Sequence, residues 1–311
     1  MTDTRILPHS NAAIAQAAAV IAAGGCVAVP TETVYGLAAD ATNSAAVAGI
    51  YAAKGRPSFN PLIVHVADLA AAERVAQFDA GARALAAAFW PGPLTLVLPL
   101  HREAAIAGLV TAGLDTIAIR VPHHRAMQAL LAACGKPLAA PSANASGSIS
   151  PTRAAHVAAS LAGRIPLIID DGATSGGIES TIVALGQAPR VLRPGPITPD
   201  RIEAVLGRPL GQGTGGSIEA PGQLASHYAP RKPLRLNAVD RRPGEWLIGF
   251  GSIAGDDTLS ASGDLVEAAA RLFDALHCAD ASPASAIAIA PVPDAEIGVA
   301  INDRLKRAAH R

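Results

Sequence analysis

Pro137-Leu138-Ala139-Ala140-Pro141-Ser142-Ala143-Asn144-Ala145-Ser146-Gly147-Ser148-Ile149-Ser150-Pro151-Thr152 passes from a short apolar run into small and hydroxyl-bearing residues. The helical pattern of residues 153–161 follows. This order predicts a strand, a turn and a helix, the succession from which α/β sheets are built. Such a turn is a place to look for a site. Small residues let the backbone approach a ligand, hydroxyls and an amide supply directed hydrogen bonds, and Pro151 with Thr152 predicts a helix start whose positive end favours anions. An ordinary cap and loop uses the same residues for local backbone reasons.

The same alternation continues on both sides. Residues 11–23 read as an Ala-rich helix closed by Gly24-Gly25, and residues 26–30 as a short buried strand. Thr31-Glu32-Thr33-Val34-Tyr35-Gly36-Leu37 lies just past that strand's C-terminal end, where α/β sheets bind ligands. A helix over 44–53 runs into Lys54-Gly55-Arg56-Pro57-Ser58-Phe59-Asn60-Pro61, and a strand follows at 62–66. Lys54 and Arg56 form either a local anion clamp or a solvated basic loop. Helices are expected at 68–77 and 80–89, and strands at 94–98 and 116–121. Arg120 stands among β-branched residues, where a charge needs a partner unless the strand is an exposed edge.

Downstream, the strand at 166–169 ends in Asp170-Asp171-Gly172, read as a turn in preference to a metal site. Strands follow at 179–185 and 190–193, and Thr198 and Pro199 open a helix that stops near Gly207. Between 208 and 232 the pattern gives way to Gly, Pro and Ser, which marks a linker. Gly211, Gly213 and Gly216 match GxGxxG by spacing alone; no strand precedes them and no apolar helix follows, which argues against a dinucleotide site. The linker ends in Ser226-His227-Tyr228-Ala229-Pro230, whose ring and imidazole are unusual in a passive spacer. A hinge at Gly211 to Gly216 followed by an anchoring Tyr228 predicts a lid. Strands at 246–250 and 286–290 then alternate with helices at 264–276 and 297–309, a small α/β domain without an evident catalytic constellation.

Half of the 311 residues are apolar but only 3% are aromatic, so the core must be built from Leu, Ile, Val and Ala. Twenty-five basic residues balance 25 acidic ones, which leaves no net field for a polyanion or an acidic membrane; any anion site must be local. Cys26, Cys134 and Cys278 form no CxxC pair, and so indicate neither a disulfide framework nor a zinc site. No signal-like segment or membrane-length apolar run is seen, so a soluble, cytoplasmic protein is expected. No Walker GxxxxGK[ST] and no Ser-His-Asp arrangement can be read out.

Six separated motifs together resemble the YrdC-like family of threonylcarbamoyl-AMP synthases. They are Pro30 to Leu37, Lys54-Gly55-Arg56-Pro57, Asn60 to His65, Pro141 to Asn144 with Ser146-Gly147, Glu179-Ser180-Thr181, and Leu192-Arg193-Pro194-Gly195. The resemblance covers residues 11–207. The linker ending in His227-Tyr228 and the C-terminal domain resemble the longer, two-domain branch. It implies a twisted mixed α/β sheet with a concave cleft over 11–207, a linker or lid over 208–233, and a smaller α/β domain over 234–311. It also implies condensation of L-threonine, bicarbonate or CO2, and ATP into threonylcarbamoyl-AMP and pyrophosphate. The product would pass to a separate tRNA-modifying transferase; the neutral charge of this chain argues against direct tRNA binding. By motif position, Lys54, Arg56, Ser142 and Asn144 would be catalytic. Arg56, Asn60, Thr116, Ser142, Ser150, Arg193 and Tyr228 would contact ATP; Thr33, His65, Arg120, Ala140 through its backbone, and Ser180 would contact threonine. Mg2+ would be carried by the phosphates, with no protein metal site. The alternatives are a non-catalytic RNA-binding or ribosome-maturation protein on the same fold, and a carbamoyl-adenylate transferase domain. The second lacks its zinc-finger cysteines here.

Overall fold

The computed structural model describes residues 2–186, 188–211, 219–222 and 226–310. Ten strands form the larger sheet: β1 (Arg5–Pro8), β2 (Val27–Pro30), β3 (Tyr35–Asp40), β4 (Ile63–His65), β5 (Leu94–Pro99), β6 (Thr116–Arg120), β7 (Leu138–Ala139), β8 (Leu167–Asp170), β9 (Thr181–Ala184) and β10 (Arg190–Arg193). Their order is β1-β8-β2-β3-β7-β4-β6-β5-β9-β10, with parallel and antiparallel pairs mixed. Eight helices accompany them: α1 (Asn11–Ala22), α2 (Ser44–Lys54), α3 (Leu69–Glu73), α4 (Ala80–Phe89), α5 (Gly108–Thr111), α6 (Arg125–Cys134), α7 (Ala154–Leu161) and α8 (Pro199–Leu206). A second, all-parallel sheet has the order β11-β14-β12-β13, from β11 (Leu234–Arg235), β12 (Glu245–Gly249), β13 (Asp257–Thr258) and β14 (Ala286–Ile289). It packs with α9 (Leu265–Ala281) and α10 (Gly298–Ala309).

Local chemistry accounts for most of these elements. Ser10 caps α1 by accepting from Ala13 N, and Ala13, Ile14, Ala17 and Ile21 repeat at helical spacing on its buried face. Every residue of β2 is buried because helices cover both faces of the sheet. Strand alternation sorts the core: Val27, Val29, Leu167 and Ile169 face the layer containing α1 and α6, while Ala28 and Ile168 face the other.

Four expectations change. The sheet starts at Arg5, because β1 pairs in parallel with β8 ahead of the expected residue 11. The helix over 68–77 shrinks to α3, since Ala76 bridges Leu100 and Gln77 N donates to Pro99 O, drawing that backbone to β5. Pro151 and Thr152 do not start a helix. Their carbonyls accept from Tyr35 N and Thr174 N, so α7 begins at Ala154, without a side-chain cap. Thr198 stands at the N-cap of α8 but makes no capping bond.

The two domains share a core, in which Val34, Ile149 and Ile178 of the first pack with Phe273, Leu272 and Ile301 of the second. Gly177, at φ +70°, sits against α9 so closely that a Cβ there would lie 2.3 Å from Ala269 O. No side chain fits. Gly213 and Gly216 of the expected hinge lie outside the described residues.

Candidate active site

A small cavity of about 40 Å³ lies against the larger sheet. Its wall comes from the segment after β2 (Thr31, Thr33, Val34), from β4 and β6 (His65, Arg120), from the β7 turn (Ala140, Pro141, Ser142), and from Glu179, Ser180 and Arg193 beside β9 and β10. Arg56 enters from the loop after α2; Pro221, Gly222, His227 and Tyr228 cover the top. Gly222, at φ +89°, passes so near that a Cβ would meet Arg193 Cδ at 2.8 Å and Tyr228 OH at 2.9 Å.

All five residues expected at threonine line this cavity: Thr33, His65, Arg120, Ala140 and Ser180. So do Arg56, Ser142, Arg193 and Tyr228 of the nucleotide set. Ser150 lies behind the wall and donates to Glu179 Oε1 at 2.5 Å. Asn60 is buried; its carbonyl accepts from Arg56 Nε at 3.2 Å, and its side-chain oxygen has no partner among the described residues. Thr116 is not among the cavity's lining residues, standing at the opposite end of β6 from Arg120.

Lys54 and Arg56 are not the paired loop clamp that their spacing suggested. Lys54 ends α2, is 2% exposed, and donates from Nζ to Ser142 O at 2.6 Å and Asn144 O at 2.5 Å. It braces the serine turn from beneath, and only Arg56 of the pair lines the cavity. Asn144 lies beneath too, its amide donating to Ala145 O and Ser148 O while Oδ1 stays unpaired.

Two carboxylates had no role assigned from the sequence: Glu179, which lines the cavity, and Glu32, which stands behind Arg120. Glu32 Oε1 lies 2.5 Å from Arg120 Nη2, an ion pair in which both residues are buried. Arg120 also donates to Thr33 Oγ1 and Gly92 O, so an interior arginine has found its partner. Glu179 pairs with Arg304 of α10 at 3.0 Å. Burial works to raise both carboxyls, but Arg120 on Glu32, and Arg304 with Arg193 on Glu179, outweigh it and hold them below the ordinary range. A charge at position 304, on the stripe of Ala300, Ile301, Leu305 and Ala308, is the one signal the sequence offered for Arg304.

The site is tuned for anions. Burial chiefly pushes Arg56, in the wall, down to about 10, so that negative charge brought beside it would be favoured; beneath the turn, burial holds Lys54 well below its usual value. Burial also lowers His65 and His227 to about 3, and His156, beside the domain junction, to about 4. These rings are neutral in the native state, whereas the unfolded chain takes up protons near 6.5. Stability should therefore fall as pH drops below that value, each ring contributing up to about 1.4 kcal/mol per pH unit. Urea midpoints near neutral pH and about two units lower measure this; an unchanged midpoint would mean that the rings are solvated.

Buried arginines and a serine turn at the ends of sheet strands make a candidate enzyme site with the chemistry to hold anions. Comparison with known proteins gives the family. A model described as Telomere recombination (Sua5, YciO, YrdC) matches residues 19–195, and one described as Threonylcarbamoyl-AMP synthase, C-terminal domain, matches 197–310. The threonylcarbamoyl-AMP synthase of Bacillus subtilis is 43% identical, over 97% of this chain and 94% of its own. The crystal structure of Pyrococcus abyssi Sua5 complexed with L-threonine superposes with a TM-score of 0.89 at 37% identity, covering 99% of this chain and 97% of that one. A P. abyssi Sua5 variant with alanines at an adjacent His and Tyr has a TM-score of 0.88 at 36% identity, covering 99% and 96%. The chain belongs to the Sua5-type threonylcarbamoyl-AMP synthases, as a YrdC-like domain followed by the Sua5 C-terminal domain. It is a nucleotidyltransferase that uses ATP and serves the threonylcarbamoyladenosine modification of tRNA.

Proposed function

We propose that threonine, bicarbonate or CO2, and ATP meet in this cavity, with the carbamate of threonine attacking the α-phosphorus and pyrophosphate leaving. The observation that carries this is the convergence of Arg56, Arg120 and Arg193 on one cavity in a chain with no net charge. Arg120, beside Thr33, His65, Ala140 and Ser180, takes the amino-acid carboxylate, for which a guanidinium offers a bidentate fork. Arg56, Arg193, Ser142 and Tyr228 take the nucleotide, and the arginines gather charge on the phosphates as it shifts to pyrophosphate. Ser150 and Asn60 act by holding Glu179 and Arg56. Thr116 is four residues from Arg120 along β6, about 13 Å, so it would meet only the far end of a nucleotide lying along the strand. Lys54 and Asn144 serve catalysis by shaping the Ser142 turn.

Among the described residues that line the cavity the one carboxylate, Glu179, is already engaged by Arg304. That fits Mg2+ arriving on the phosphates, where it would offset their charge. Neutral net charge fits a cytoplasmic enzyme that hands its adenylate to a separate tRNA-modifying transferase. Incubation with ATP, Mg2+, threonine and bicarbonate, followed by mass spectrometry, should yield an AMP adduct containing threonine and one added carboxyl carbon. Folded protein that yields none defeats the proposal.

His227 and Tyr228 act as part of a lid. At about 40 Å³ the cavity holds at most a few waters, so Pro221, Gly222, His227 and Tyr228 have to move for the substrates to enter. Closure over them would keep water from a mixed carbamic-phosphoric anhydride. The alanine-substituted P. abyssi variant concerns the same two residue types in sequence. Limited proteolysis between residues 208 and 233 should slow when ATP and threonine are added together, and Tyr228→Ala should lose most of that protection. Equal cutting at saturation would remove the lid.

A further inference from the structure

We infer that Arg304 is a positioning residue for the reaction, through which α10 of the C-terminal domain holds Glu179 and the ring of Tyr228 in the cavity wall. Its side chain is fully buried and is not itself among the lining residues. Nε donates to Glu179 Oε2 at 3.0 Å and Nη2 to the Glu179 carbonyl at 3.4 Å. Nη1 donates to Pro194 O at 2.7 Å, next to Arg193, and to Asp303 Oδ2 at 3.0 Å. The other Glu179 oxygen accepts from Ser150. One guanidinium therefore ties together the Ser150 loop, the approach to β9 and the end of β10.

Tyr228 supplies an independent observation. It is a non-glycine residue at φ +63°, a strained conformation that persists only where neighbours determine it. Those neighbours belong largely to the C-terminal domain. The Arg304 guanidinium lies 5.4 Å from the ring centroid, Phe273 of α9 stacks at 5.5 Å, and His227 N donates to Arg307 O. The covering segment is thus docked on α9 and α10, while Ala229 N, donating to Gly147 O at 2.8 Å, ties it to the first domain as well.

A buried pair that only stabilised the domain junction would lower the folded fraction and hence kcat, and would leave KM alone. A positioning pair changes the wall that substrates touch. Arg304→Gln, Glu179→Gln and the double variant are to be assayed with ATP and threonine varied separately, and folding followed by near-ultraviolet circular dichroism. We expect Arg304→Gln to raise KM for ATP at least about tenfold, Arg304→Lys to fall between it and the parent, and the double variant to be no worse than the worse single one. Should Arg304→Gln fail to fold, the double variant, which leaves no charge unpaired between these two, carries the KM measurement. Parental KM values for both substrates, or single effects that multiply in the double variant, overturn the inference. It rests on the cavity being the substrate site, which Arg193→Ala tests by itself. If that variant leaves both KM values unchanged, the cavity reading fails and the inference with it; if it raises a KM while Arg304→Gln does not, the cavity reading stands and the positioning role alone fails.

Discussion

Arg120→Ala is expected to lower kcat/KM for threonine by roughly 10²- to 10³-fold and stability by about 3–5 kcal/mol. Two consequences share one cause. The variant removes the fork proposed to take the amino-acid carboxylate, and it strands Glu32, whose carboxylate is buried and paired with Arg120 at 2.5 Å. Adding Glu32→Gln separates them. The double variant should recover most of the urea midpoint, because no ionised group is left buried without its partner, while threonine use stays lost. Calorimetric binding of threonine to folded Arg120→Ala with parental affinity would show that this guanidinium serves the fold alone.

Lys54→Ala should destabilise the protein by about 2–5 kcal/mol, because the buried Asn144 O and the half-buried Ser142 O would each lose a close donor. Activity should fall roughly 10²-fold in the protein that remains folded, since the turn carrying Ser142 would lose its support and small misplacements are costly in catalysis. A basic loop residue would behave otherwise, losing turnover with stability intact. Urea denaturation together with pyrophosphate release decides between them, and a parental midpoint would mean that Nζ is not held by the turn. Arginine is not expected to replace Lys54, because its broader fork does not fit a site shaped for one ammonium.

What was legible from the chain alone was local or repetitive. The 3.6-residue pattern of α1, α4 and α7 and the β-branched runs of β4, β6 and β8 survive folding nearly unchanged, because the same spacing that marks an element also buries its face. The motif resemblance brought Thr33, His65, Arg120, Ser142, Ser180, Arg193 and Tyr228 to one cavity although nearly 200 residues separate the first from the last. Tertiary structure alone decided which side each charge faces. Lys54 turned from a loop cation into a buried brace because the last turn of α2 aims it at carbonyls some 90 residues away. Residues after Glu73 left their helix because β5 offered their backbone other partners. Glu32 met Arg120, and Glu179 met Arg304 across 125 residues of chain. A periodic apolar face announces itself in its own neighbourhood, whereas a buried charge is intelligible only with its partner, and nothing in the local sequence says how far along the chain that partner lies.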